Sequence, residues 1–93
     1  SGLYERFLNK FLSDPTFGMV TDAFKAGDAQ LALTATHTFK GLTANLGLTK
    51  LYNISSEMVS LIRDGDYGAA AGTFPDLKAA YDEICGILKK GLL

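Results

Sequence analysis

His37 is the only histidine in this chain, and the residues that follow it suit an imidazole that carries an anion. The run reads His37-Thr38-Phe39-Lys40-Gly41-Leu42-Thr43-Ala44-Asn45-Leu46-Gly47. On a helix, positions i, i+3 and i+4 share one face. That face would present a nucleophilic ring at His37, an ammonium at Lys40 and bare backbone at Gly41. Imidazoles titrate close to neutrality, so an uncharged ring with a free nitrogen is available at cellular pH. A cation one turn away disfavours a protonated ring and favours a phosphorylated one. A glycine inside a helix costs about 1 kcal/mol relative to alanine. On the outward face that cost leaves room for another molecule to come close. The chemistry these residues suit is a phosphoryl group held on the ring and handed to a partner.

Five helical segments are expected to position this face: 3–12, 15–26, 28–46, 48–64 and 66–90. The first places Leu3, Phe7, Leu8, Phe11 and Leu12 on one stripe. Ser13-Asp14-Pro15 breaks it, Asp14 suiting an N-cap and Pro15 the first helical position of the next segment. In that segment Phe17, Val20 and Phe24 recur at helical spacing. Gly27-Asp28 and Gly65-Asp66 each end one helix and cap the next, and Gly47 closes the third. The fourth carries Leu51, Ser55, Met58 and Ile62 on one stripe; the fifth carries Tyr67, Ala70, Phe74, Leu77, Tyr81, Ile84 and Leu88. Pro75 predicts a kink or restart near Thr73. These stripes read as bundle core. Short connections force neighbours antiparallel. The expected fold is all-α: an up-down-up-down four-helix bundle with an additional N-terminal helix, in one domain spanning 1–93.

Helical rotation of about 100° per residue fixes the direction of His37. Ala32, Ala35, Phe39, Leu42 and Leu46 cluster as the buried stripe, and the histidine lies about 180° from its centre. Lys40, Gly41 and Ala44 flank it on the outward side, with Leu33 one turn earlier.

Composition narrows the function classes. The chain has 93 residues, 47% hydrophobic and 20% charged, with net charge −1, which fits one globular core. No basic stripe exists to neutralise a nucleic-acid backbone. No apolar run approaches the roughly 20 residues of a membrane span. The single cysteine, Cys85, cannot form an internal disulfide, which points to a reducing cytoplasm. No secretory signal is visible, and a start at Ser-Gly fits a trimmed N-terminus. One His and one Cys fall short of the four ligands of structural zinc. Thr34 and Thr38 lie near His37 without an evident oxyanion hole. No phosphate-binding glycine loop is present, so neither ATP binding nor kinase activity is expected.

The motif resembles the signature of histidine-containing phosphotransfer (Hpt) domains of bacterial two-component phosphorelays: His-x-Leu/Phe-Lys-Gly, four variable residues, then an aliphatic-Gly pair. Phe39, Lys40, Gly41, Leu46 and Gly47 fall in register. The Gly-Asp breaks, Leu46-Gly47-Leu48, the Arg63-Asp64-Gly65-Asp66 turn and a final Leu77-x-x-x-Tyr81 helix are similar too. The piece from Phe7 to Phe17 is similar to free-standing bacterial members, which implies a short further segment before Ser1. Thr36 departs from the family's usual small Ala.

The resemblance implies that His37 accepts a phosphoryl group from an aspartyl phosphate on a response-regulator receiver domain and passes it to another receiver aspartate. Lys40 would pair with the phosphoryl oxygens and Gly41 would admit the partner's loops. Leu33, Ala44 and Leu48 would form an apolar docking patch. The protein would need no cofactor of its own, Mg²⁺ being supplied by the receiver. Partners would be receiver domains, including one within a hybrid histidine kinase, met by a monomer through a transient interface below about 1,200 Å². Neither nucleic acid nor membrane is expected as a partner. An autonomous enzyme such as a hydrolase would need a second catalytic group, and none is visible. The alternative is an adaptor or decoy that binds receivers without phosphotransfer.

Overall fold

The computed structural model describes residues 2–91. Five helices follow one another: α1 (Gly2–Ser13), α2 (Thr16–Ala26), α3 (Ala29–Asn45), α4 (Thr49–Arg63) and α5 (Tyr67–Lys89). Among the described residues there is no strand. The body is elongated, 42 × 19 × 18 Å, as a bundle of helices lying along one axis must be. Sequential packing of α2 on α3, α3 on α4 and α4 on α5 makes the bundle. The circuit closes between α2 and α5 through aromatic rings: Phe17 stacks on Tyr81 at 3.9 Å with an interplanar angle of 7°, and Phe24 stacks on Tyr67 at 5.6 Å.

The breaks between helices follow from local chemistry. Asp14 accepts a hydrogen bond from the Thr16 amide at 2.7 Å, and Pro15 already has helical angles, φ −78° and ψ −5°. Gly27 at φ +67° supplies the left-handed turn that stops α2, and the Asp28 carboxylate then caps α3 by accepting from the Leu31 amide at 3.0 Å. Gly65 and Asp66 repeat the device before α5, where Asp66 accepts from the Ala69 amide at 3.1 Å. Through Pro75 the fifth helix neither stops nor restarts. Proline removes one backbone donor there, while the Thr73 hydroxyl donates to the Ala69 carbonyl at 2.9 Å.

The stripe expected on α1 is only partly buried. Leu8 and Phe11 enter the core, Leu12 is half-buried, and Leu3 and Phe7 are exposed. The cause is position. Within the bundle every helix has two neighbours, whereas α1 leans on α5. It also meets α3, where Phe11 packs against Phe39 at 6.2 Å and the Tyr4 hydroxyl donates to the Leu46 carbonyl at 3.2 Å. A helix that meets the bundle along one edge buries only a narrow line of side chains.

The core is rich in aromatic rings, and Tyr81 sits among them against Phe11, Phe17 and Phe39. Burial pushes its phenol up to about 12, helped by a hydrogen bond with Cys85 and by the charges of Cys85, Asp14 and Asp82. The folded protein therefore keeps this proton at a pH where the unfolded chain releases it. Stability from this group is fully present below the ordinary phenol value of about 10 and is lost as pH rises through about 12. Alkaline titration of phenolate absorbance should show one of the four tyrosines ionising late. Tyr81→Phe should remove that late step and flatten the alkaline loss of stability; an unchanged titration would contradict this.

Candidate phosphoryl-acceptor site on helix α3

The third helix buries Ala32, Ala35 and Phe39, with Leu46 just past its end, and leaves Leu42 half-buried. His37 is exposed on the opposite side, as the rotation requires. Two further side chains are buried that the stripe omitted, Thr36 and Thr43, both fully enclosed. They widen the buried face because α3 packs against α2 on one side and α4 on the other. The Thr43 hydroxyl donates to the Lys40 carbonyl at 2.9 Å. Thr36 Oγ1 has no hydrogen-bond partner.

An unpaired buried hydroxyl costs about 1–3 kcal/mol, and valine has nearly the same shape. Thr36→Val is expected to stabilise the protein by about 1–2 kcal/mol, read from the denaturation midpoint. A loss of stability would show that the hydroxyl is bonded after all.

The outward face carries His37, Lys40, Gly41 and Ala44, all in one helix and therefore rigidly spaced. Gly41 is exposed, and a Cβ built there meets nothing within 4 Å. Neither packing nor backbone conformation demands a glycine. The same openness holds at Gly18 and Gly72, so it is the place beside His37 that gives Gly41 its meaning. Lys40 is half-buried, and its Nζ lies over the Tyr52 ring of α4, 5.7 Å from the centroid. Among the described residues it has no carboxylate within salt-bridge distance, so its charge is not already neutralised.

Beyond Lys40 the face runs into a depression of about 220 Å³, lined by Thr43, Ala44, Gly47, Leu48, Thr49 and Tyr52. Ala44 is exposed and Leu33 is half-buried. Leu48 differs from its expected place on a docking patch. It is 8% exposed and packs in the core, because the turn after Gly47 folds it inward as the Leu48 amide bonds the Thr43 carbonyl at 3.0 Å. Tyr52 is the residue that sequence reasoning missed. The signal for it was the short antiparallel connection, which sets the start of α4 beside the end of α3.

A larger groove, of about 600 Å³, lies between α1 and α3 and is lined by Phe7, Phe11, Leu42 and Leu46 among others. It is on the other side of α3 from His37. Among the described residues no cluster of three potential metal ligands exists, and no helix is long and apolar enough to cross a membrane. Comparison of the chain with protein families, with curated proteins and with solved structures finds no match.

Proposed function

We infer that this chain is a phosphorelay carrier with His37 as its phosphoacceptor. The observation that carries the reading is the shared outward face of α3: an exposed imidazole, an unneutralised ammonium one turn on, and an open glycine beside it. The resemblance to Hpt domains noted in the sequence is consistent with that face.

In the forward step an imidazole nitrogen of His37 attacks the phosphorus of an aspartyl phosphate on a receiver domain. A P–N bond forms as the P–O bond to the aspartate breaks, and the carboxylate leaves as an anion. The receiver contributes Mg²⁺. The reverse of this step on a second receiver returns the ring and completes the transfer. Little covalent work is asked of the carrier, since phosphoryl transfer depends mainly on positioning and charge stabilisation. Its contributions are a ring fixed on a packed helix, the Lys40 charge for the phosphoryl oxygens, and access across Gly41. A cytoplasmic setting and a monomeric carrier belong to the same reading.

Transfer from a phosphorylated receiver to this protein tests the reading. Access for the partner across Gly41 is tested by substitution there. Gly41→Ala should raise stability by about 1 kcal/mol, because the added methyl meets open space. Gly41→Gln should leave the helix content level yet block transfer, the longer side chain standing where the partner must come. Normal transfer by Gly41→Gln would refute close approach at this position.

A further inference from the structure

Lys40 and Tyr52 are in contact, yet they sit differently with respect to His37. Tyr52 lines the depression together with Thr43, Ala44 and Gly47. Those residues lie six to ten positions after His37 along the chain, and the helical ones among them are about 10 Å further along the α3 axis. Lys40 stands between, one turn after His37 and one turn before Ala44. Its flexible stem can carry the ammonium toward either side, but an ammonium over the Tyr52 ring is drawn to the side away from His37.

On this basis, and resting on the carrier reading, we propose that Tyr52 is a positioning residue that holds the Lys40 ammonium off His37 in the unphosphorylated protein. A phosphoryl group on His37 draws the same cation away from the ring. A cation over an aromatic face gains a modest attraction, at the weak end when exposed to solvent. A phosphoryl group with two negative charges competes with that successfully, but must first displace it. The contact therefore lowers the grip of Lys40 on the phosphoryl group. That suits a carrier, which has to release what it accepts. Without the ring, Lys40 would be free to stabilise phosphohistidine more fully and would turn the carrier toward a sink.

The test uses phosphoramidate to phosphorylate the imidazole of the full chain directly, with mass spectrometry confirming the modified residue. In the unmodified protein the Tyr52 ring current should shift the Lys40 ε-methylene proton resonances upfield. Phosphorylation of His37 should abolish that shift. Tyr52→Phe, which keeps the ring, should behave like the native protein; Tyr52→Leu should lack the shift in both states. In equilibrium with an acceptor receiver, Tyr52→Leu should retain phosphate on His37 roughly two- to fivefold more than the native protein, and Lys40→Ala should erase that difference. A Lys40 resonance unmoved by phosphorylation would overturn the proposal, as would equal or lower retention by Tyr52→Leu. If receivers never transfer to His37, the carrier reading fails, while the chemically phosphorylated protein still decides the fate of the Lys40–Tyr52 contact.

Discussion

Replacing His37 with Gln is expected to abolish phosphoryl transfer completely while leaving stability within about 0.5 kcal/mol of the native protein. The side chain is exposed and opposes the core, so the helix loses nothing that packs. Glutamine keeps a polar side chain of similar reach but offers no nitrogen that can form and release a phosphoramidate. Receiver binding should survive, because Gly41, Ala44 and Leu33 are untouched. Denaturation curves that overlay, together with a receiver that binds but keeps its phosphate, are the paired results that check this. Residual transfer by the variant would move the acceptor to another side chain.

The second large effect falls on the opposite side of the same helix. Phe39, two residues from His37, is 1% exposed and meets Phe17 at 5.4 Å, Tyr81 at 6.0 Å and Phe11 at 6.2 Å between ring centroids. It thus joins α1, α2 and α5 to the helix that carries the histidine. Removing the ring leaves a cavity that rigid neighbours fill poorly, and Phe→Ala in such a place costs about 3–5 kcal/mol. Domains of this size are stable by about 5–15 kcal/mol, so Phe39→Ala would consume a large share. Denaturant unfolding should show that drop, whereas Phe7→Ala, at an exposed ring, should change stability little. Transfer normalised to the folded fraction should remain close to native, since the outward face keeps its residues. A Phe39→Ala protein as stable as the native one would contradict the packing described for α3.

The division between these two residues is legible in the sequence, because helical rotation alone separates Phe39 from His37. Stops and starts were legible as well. Gly27-Asp28 and Gly65-Asp66 carry their mechanism in their residue types, a positive φ followed by a carboxylate that caps. What could not be read from single helices was how many neighbours each one has. The α1 stripe looked as convincing as that of α5, yet Leu3 and Phe7 stay exposed because nothing covers that part of α1 among the described residues. Thr36 and Thr43 were missed for the converse reason, since α3 has neighbours on both flanks. Leu48 and Tyr52 depend on the register across the turn after Gly47, a relation between two helices that periodicity within either one does not contain. The candidate site was accordingly clear at His37, Lys40 and Gly41, which share one helix, and incomplete where α4 contributes.

The most direct test of the carrier reading is to incubate the protein with a receiver domain phosphorylated on aspartate, with Mg²⁺, and to map the phosphate gained. The expected result is a phosphate that is labile in acid, stable in base and located on His37. Receivers that bind the protein yet retain their phosphate, across several candidates, would contradict it and leave a binding module that occupies receivers without transfer.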